Sequence, residues 1–301
     1  MRVPFVSHPH YHCELPPGHR FPMGKFRLLY ETLIREGVAQ REDFCLPADL
    51  PEETLLRVHE AGYVGLWESN ALDVQAIRRI GLPWSPELVR RTRIAVAGTL
   101  LTARLALRHG LACNTAGGTH HAFPTYGSGF CIYNDMAVAA AQLVREGKVR
   151  QVLIVDLDVH QGDGTHFIFR NEPRVFTFSL HCEKNFPVRR QPGDRDVELP
   201  EGTGDEAYME CLREELPNLL RAVRPDLVFF DAGVDVHKDD RLGRFELTDT
   251  GLYAREAYVI ETVRAAGVPL ACVIGGGYDK DLQALVNRHA VLHRVARALD
   301  C

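Results

Sequence analysis

The sequence predicts a single α/β domain with three layers, in which helices cover both faces of a mainly parallel central sheet. Short, continuously apolar segments alternate with longer segments of helical periodicity, which is the pattern of a sheet buried on both faces. The chain has 301 residues, 46% of them hydrophobic and 25% charged, as in an ordinary globular protein. No linker rich in glycine, serine or proline divides the chain, so we predict one domain over residues 1–301.

The individual elements are predicted from apolar periodicity and from the residues that end helices. Apolar or β-branched segments predict strands at Arg2–Val6, Leu111–Thr115, Gln151–Leu157, Arg174–Leu180, Asp226–Phe230 and Val268–Ile274. Helical spacing predicts helices at Pro86–Arg108, Asn134–Glu146, Asp205–Val223, Thr248–Ala266 and Asp279–Leu299. Gly110 and Gly147 follow the first two helices as C-caps. The segment Pro192–Gly204 is predicted to be a surface loop.

Composition argues against several classes of protein. A net charge of −5 disfavours sequence-independent nucleic-acid binding, which depends on neutralising phosphates. The N-terminus lacks the apolar segment of a signal peptide, and no stretch reaches the length of a membrane span. The eight cysteines form no Cys-x-x-Cys pair, and several lie in apolar segments as reduced thiols would. We therefore predict a cytoplasmic protein that binds neither membranes nor nucleic acid directly.

Polar residues after two predicted strands indicate a metal site. The strand around Val152–Val155 leads into Asp156, Asp158 and His160, which alternate and so point to one side. Two carboxylates and an imidazole buried together need a positive charge, and this mixture of ligands suits Zn²⁺ or Fe²⁺. Asp235, after another predicted strand, would complete an Asp/His/Asp set of three protein ligands and leave the open position typical of catalytic sites. The alternative is that these carboxylates only cap and shape polar turns.

Two glycine-rich turns carry residues suited to proton transfer and to oxyanion stabilisation. Gly117 and Gly118 allow a tight turn before His120 and His121, and tandem imidazoles suit acid–base chemistry. A polar loop with satisfied histidines is the commoner alternative. Three glycines after the last predicted strand precede Tyr278, whose phenol could donate a hydrogen bond to an oxyanion. Ordinary packing is the alternative for this tyrosine.

Six blocks of sequence carry a resemblance to one family. They occur between residues 117 and 278 in the order GGTHHAF, SGFCIYND, DLDVHQGDGT, TFSLH, GVDVHKDDRLG and GGGY. The chain resembles the zinc-dependent histone deacetylase family, whose members have the arginase–deacetylase fold. The segment LPPGHRFPMGK most resembles the class IV branch and its bacterial relatives.

The resemblance implies an activity and a set of site residues. The implied activity is hydrolysis of the lysine side-chain amide in acylated proteins or peptides, for acetyl or longer chains, by metal-activated water. The implied metal ligands are Asp158, His160 and Asp235. The implied catalytic residues are His120 and His121, their carboxylate partners Asp156 and Asp163, and the oxyanion-stabilising Tyr278. The implied binding residues are the channel walls Phe130, Phe186 and Gly276, the acyl-pocket arginine Arg20 behind the metal, and a structural K⁺ site of Asp156, Asp158, His160, Ser179 and Leu180.

Two other functions are compatible with the same residues. One is an amidohydrolase of acetylated polyamines or other small acylated metabolites. The other is a catalytically inactive acyl-lysine binding protein, against which the complete set of catalytic residues argues. Thr119 and Gln161 stand where many relatives carry a large aromatic residue and a histidine, so substrate preference is left open.

Overall fold

The central sheet has eight strands in the computed structural model, which describes residues 2–299. In chain order they are β1 Phe5–Val6, β2 Phe44–Cys45, β3 Leu111–Asn114, β4 Val152–Asp156, β5 Val175–Cys182, β6 Arg195–Leu199, β7 Leu227–Asp231 and β8 Leu270–Val273. Their spatial order is β2-β1-β3-β8-β7-β4-β5-β6, and every neighbouring pair is parallel. The predicted α/β class, with strands buried by helices, is confirmed.

Helices pack on the sheet in two groups. In chain order they are α1 Lys25–Arg35, α2 Glu52–Leu55, α3 Ala61–Glu68, α4 Val74–Ile80, α5 Pro86–His109, α6 Asp135–Arg145, α7 Asp163–Phe169, α8 Asp205–Val223, α9 Asp249–Ala265 and α10 Leu282–Ala298. Helices α5, α6 and α7 pack side by side, and α1, α10, α9 and α8 form a second contiguous row. Among residues 2–299, no helix is long and apolar enough to cross a membrane.

The structure corrects the prediction of a surface loop at Pro192–Gly204. Residues Arg195–Leu199 form the edge strand β6, which pairs with β5 from Phe178↔Arg195 to Cys182↔Leu199. This strand is polar and partly exposed, so it lacks the apolar segment by which the buried strands were recognised. An edge strand with charged side chains also resists pairing with other chains.

The five predicted helices are present with ends within three residues of those predicted, and capping explains the exact ends. Ser85 caps α5 by accepting from Leu88 N–H, and Gly110 ends it in the left-handed conformation. Asp281 accepts from Gln283 and Ala284, so α10 begins after it rather than at Asp279. Helices α1 to α4 and α7 and strand β2 were not predicted. They are short or amphipathic elements within segments where no clear apolar periodicity was recognised.

Strand order places four of the polar segments next to one another. Strands β3, β8, β7 and β4 are consecutive neighbours in the middle of the sheet. Because all are parallel, the turns that follow them meet at one edge, where ligands bind in open α/β sheets. Register aligns Asp156 with Asp231 across β4 and β7, and Asp231 with Val273 across β7 and β8. The residues after these strands therefore converge on one place.

Candidate active site

Two carboxylates and an imidazole form a buried cluster beyond β4 and β7. Asp158, His160 and Asp235 each offer a ligand atom within 4.8 Å of the others. The Nδ1 atom of His160 lies 2.9 Å from Asp158 Oδ1 and 3.2 Å from Asp235 Oδ2. Asp235 Oδ2 is buried without an aligned hydrogen-bond donor. The structure thus brings the three predicted metal ligands together.

The electrostatics of this cluster fit a divalent metal ion. Burial and the neighbouring Asp158 raise the pKa of Asp235 to about 7. Burial lowers the pKa of His160, but Asp158 and Asp235 outweigh burial and raise that pKa to about 10. A divalent cation would neutralise both carboxylates and replace the proton that His160 otherwise holds. One nitrogen and two carboxylate oxygens are a donor set that such a metal accepts.

Backbone amides and close glycines hold the two carboxylates in place. Gly276 N–H donates to Asp158 Oδ2 at 2.8 Å, and Val159 N–H donates to Asp235 Oδ1 at 3.0 Å. A Cβ atom on Gly276 would lie 2.1 Å from Asp235 Oδ2 and 2.5 Å from Asp158 Oδ2. Only glycine therefore fits at the position predicted as part of the channel wall.

His120 and His121 each donate to a buried carboxylate. The Nδ1–H of His120 donates to Asp156 Oδ2 at 2.7 Å, and that of His121 donates to Asp163 Oδ1 at 2.6 Å. The two Nε2 atoms lie 3.1 Å apart. Because both Nδ1 protons are committed to carboxylates, this short contact requires a proton between the rings. The pair and its two aspartates have the arrangement that the resemblance implied.

The pKa values of the two imidazoles are shifted in opposite directions. Burial lowers the pKa of His120, but Asp156 and Asp158 outweigh it and raise that pKa well above its usual range. Burial and the charge on His120 lower the pKa of His121, against the opposing effect of Asp163. The surroundings therefore favour the proton on His120, and His121 is the weaker base of the two.

Asp135, at the start of α6, holds the turn that carries the histidine pair. Its carboxylate accepts from Gly118 N–H at 3.1 Å and from Thr119 N–H at 2.7 Å. Gly117 and Gly118 have φ values of 93° and 85°, which glycine adopts without strain. Asp135, the last residue of the block SGFCIYND, therefore holds the turn at the start of the block GGTHHAF.

Tyr278 leaves the glycine turn after β8 and is held from two sides. Its N–H donates to Asp240 Oδ2 at 2.6 Å. Lys25 Nζ donates to the carbonyls of Gly275 and Gly277 at 3.3 and 3.5 Å, and these hydrogen bonds hold the glycine turn in place. Burial, followed by the charges of the cluster carboxylates, raises the pKa of Tyr278 well above 10. The phenol is therefore neutral and able to donate a hydrogen bond.

A cavity of about 390 Å³ opens over this cluster, and the predicted channel residues line it. The ring of Phe186 stands perpendicular to that of His121, with centroids 4.8 Å apart. The ring of Phe130 lies 5.7 Å from that of Tyr278, and its backbone has a φ of 67°. Arg20 also lines the cavity, but its side chain is exposed and stacks on Phe130 at 4.8 Å rather than being enclosed behind the cluster.

The residues predicted to bind a monovalent cation lie at and just after the end of β4 and on the neighbouring strand β5. Register aligns Asp156 of β4 with Ser179 of β5, and Leu180 follows on the same strand. Ser179 Oγ lies 3.0 Å from His181 Nδ1, so its hydroxyl already has a partner. Cation binding at this place stays a prediction.

Sequence reasoning missed three buried residues around the site. Lys25 and Arg255 bond to backbone carbonyls of the site turns, and their partners are 22 to 252 residues away. Asp231 lies in a group with His120 and Asp156, and both of its carboxylate oxygens are buried without a hydrogen-bond partner. Burial and the neighbouring Asp156 raise the pKa of Asp231 well above its usual value. No local pattern singles out the two cations, whereas Asp231 was visible as a polar strand end.

Comparison with known proteins decides the family. A family model for the histone deacetylase domain matches residues 19–293. The chain belongs to the histone deacetylase family. Membership implies metal-dependent deacetylase or amidohydrolase activity, and it confirms the resemblance read from the six sequence blocks.

Curated relatives match between 78% and 99% of this chain. A protein of Picosynechococcus sp. described as uncharacterized is 57% identical over 298 residues, covering 99% of each chain. Histone deacetylase 2 of Arabidopsis thaliana is 28% identical over 271 residues, covering 87% of this chain and 70% of its own. The acetoin utilization protein AcuC of Staphylococcus aureus is 28% identical over 257 residues, with 78% and 66% covered.

Solved structures share the fold. The crystal structure of an HDAC homolog from Aquifex aeolicus superposes with a TM-score of 0.82 at 22% identity, covering 99% of this chain and 84% of that one. The crystal structure of the HDA15 HD domain gives a TM-score of 0.81, also at 22% identity, covering 98% and 90%. The predicted arginase–deacetylase fold is thereby confirmed.

Proposed function

We propose that this protein hydrolyses the side-chain amide of acyl-lysine in proteins or peptides. One observation carries the proposal: a buried Asp–His–Asp cluster, a carboxylate-paired histidine pair and a neutral tyrosine face a single cavity with aromatic walls. Asp158, His160 and Asp235 would hold the metal, for which we propose Zn²⁺, with Fe²⁺ as the alternative. When bound, that metal supplies Lewis acidity toward the amide carbonyl and activates water.

The protein's own side chains would divide the remaining chemistry. Phe130 and Phe186 flank the lysine methylenes. The histidine pair, with its shared proton between the Nε2 atoms, takes up a proton from the attacking water and delivers one to the leaving amine. Tyr278, kept neutral by its surroundings, donates a hydrogen bond to the developing oxyanion. The products are free lysine and a carboxylate.

Removal of the Tyr278 hydroxyl tests this assignment. We expect Tyr278→Phe to lower kcat by a factor of about 10² to 10³, as for loss of one oxyanion donor. The measurement is turnover of the metal-loaded protein on lysine peptides with acyl groups from acetyl to myristoyl. Asp158→Ala serves as the control that also loses the metal. Full activity of Tyr278→Phe would remove the tyrosine from the mechanism.

The same panel of substrates separates the alternatives. Cleavage of lysine peptides that disappears in Asp158→Ala supports the deacylase, and its dependence on chain length measures the usable depth of the cavity. Cleavage restricted to acetylated polyamines or other small amides would move the function to metabolites. No cleavage of any substrate by metal-loaded protein would favour an acyl-lysine binding protein.

A further inference from the structure

The exposed charged side chains that line the active-site cavity all carry the same sign. Within residues 2–299 they are Arg20, Arg79, Lys184 and Arg244. The one carboxylate among the cavity-lining residues, Asp158, belongs to the buried cluster. The whole chain has a net charge of −5. The exposed charges that line this cavity are positive, so the cavity differs in sign from the protein as a whole.

Two of these cations are partly balanced by nearby carboxylates. Glu201 lies between Lys184 and Arg244, at 3.8 Å from Lys184 Nζ and 3.5 Å from Arg244 Nη1. Glu183 adds a second contact to Lys184 at 3.7 Å. Neither glutamate lines the cavity.

The other two cations have no carboxylate partner within the described part of the chain. The Arg20 guanidinium stacks on Phe130 at 4.8 Å, and that of Arg79 stacks on Tyr126 at 4.6 Å. Stacking on an aromatic ring leaves the edge of a guanidinium and its N–H donors available to a carboxylate. Of the four exposed cations, Lys184 and Arg244 therefore have glutamate partners, whereas Arg20 and Arg79 have none among residues 2–299.

Arg79 belongs to the wall of the cavity beside the histidine pair. Its carbonyl accepts from Gly129 N–H at 3.1 Å. Gly129 packs closely against His121 and Phe186, since a Cβ atom at this position would lie 2.8 Å from the His121 ring and 3.3 Å from the Phe186 ring. Phe186 is 42% exposed, so this side of the cavity reaches solvent. Because Arg79 is exposed and lines this same cavity, a substrate that enters the cavity meets its positive charge.

We propose that Arg79 is a specificity-determining residue and that the protein prefers acyl-lysine segments flanked by Asp or Glu. This inference rests on the proposed function and names its class of substrate. Complementary charge at the rim of a site favours encounter with the matching partner and disfavours the opposite one. The same charges would repel acetylated polyamines, whose remaining amines are cationic.

The test compares two acetyl-lysine peptides that differ only in their flanks, with two Glu or two Lys on each side of the acyl-lysine. We expect kcat/KM to be roughly tenfold higher for the acidic peptide at low salt, because each exposed ion pair changes binding by a factor of about 1.5 to 5. The ratio is expected to shrink toward one as salt approaches about 1 M, where the Debye length is about 3 Å. N-acetylated putrescine and spermidine serve as cationic small substrates, and we expect both to be poorer than the acidic peptide.

A neighbouring arginine provides the matched control. Arg78 is exposed on the same helix α4 but does not line the cavity. We expect Arg79→Glu to lower the acidic-to-basic ratio by about fivefold and Arg78→Glu to leave it unchanged. Equal effects of the two variants would mean that only net charge matters, and would overturn the assignment to Arg79.

Direct binding separates failure of this inference from failure of the proposed function. Fluorescence anisotropy of the same labelled peptides measures Kd without any turnover. Tighter binding of the acidic peptide, weakened by Arg79→Glu, supports the inference even if no peptide is cleaved, in which case the deacylase proposal fails alone. Equal or tighter binding of the basic peptide, or a preference for the acetylated polyamines, overturns the inference.

Discussion

Arg255, on α9, connects the two segments that bear the metal-ligand candidates. Its buried Nη1 donates to Leu157 O at 3.0 Å and to Gly233 O at 2.8 Å. Leu157 precedes Asp158, and Gly233 lies two residues before Asp235. The rest of the guanidinium pairs with buried Glu256. The side chain thus acts on the cluster through backbone, as a positioning residue.

Loss of Arg255 should therefore affect both stability and metal binding. We expect Arg255→Met to lower the free energy of unfolding by about 3–5 kcal/mol, because it leaves the Glu256 carboxylate buried and unpaired. The double variant with Glu256→Leu should recover much of that loss but still bind metal more weakly, since the two carbonyls lose their donor. Urea unfolding and competition with a chelating dye measure the two quantities. Wild-type metal affinity in the double variant would mean that Arg255 is only structural.

At the scale of elements, His59 joins the segment after α2 to the start of α6. Its Nδ1–H donates to Phe123 O, and its Nε2 accepts from Asn134 N–H, both at 3.0 Å. Asn134 in turn caps α6. One ring nitrogen donates and the other accepts, so this arrangement requires a neutral imidazole. Burial accordingly lowers the pKa of His59 to about 4.

Because His59 is neutral in the folded protein, we expect the free energy of unfolding to fall as the pH is lowered. The unfolded imidazole binds a proton near pH 6.5 and the folded one near pH 4, so the unfolded state gains protons first as pH falls. The contribution is full above pH 6.5 and is lost progressively down to about pH 4, by about 3 kcal/mol. Urea unfolding from pH 8 to pH 4 should show a flatter dependence for His59→Gln. An equally steep slope in His59→Gln would contradict this account.

The strands differ in whether apolar periodicity in the sequence predicts them. Strands β4 and β7 are buried along all five residues, so their apolar segments were visible in the sequence. The edge strand β6 alternates weakly and carries Arg195, Asp196 and Glu198, so its sequence by itself predicts a loop. Pairing with β5 makes it a strand, and that pairing is a tertiary contact rather than a local property.

At the scale of the whole molecule, the metal ligands come from segments about 75 residues apart in sequence. Asp158 and His160 follow β4, and Asp235 follows β7, so only the folded sheet brings them together. A ligand that binds the native state alone stabilises it by mass action. Metal should therefore raise the stability of the protein as a whole.

Metal removal tests this coupling. At a thousandfold excess over Kd, we expect a gain of about 4 kcal/mol and a rise in Tm of several degrees. Thermal unfolding with EDTA and with added Zn²⁺ measures the difference. Asp158→Asn keeps the size of the side chain and should remove most of the shift. A shift of wild-type size in Asp158→Asn would mean that the metal binds elsewhere.

The sequence by itself determined the fold class, the family and the residues that follow the central strands. The fold class and these residues follow from local patterns: apolar periodicity reports burial, and short-range spacing places Asp158 and His160 on one side of a strand end. The family follows from the resemblance of six sequence blocks to known family members. Tertiary structure decided the strand β6, the supporting contacts of Lys25 and Arg255, and the cations that surround the cavity. Each of these depends on which distant segments become neighbours, and strand order in the folded sheet sets that.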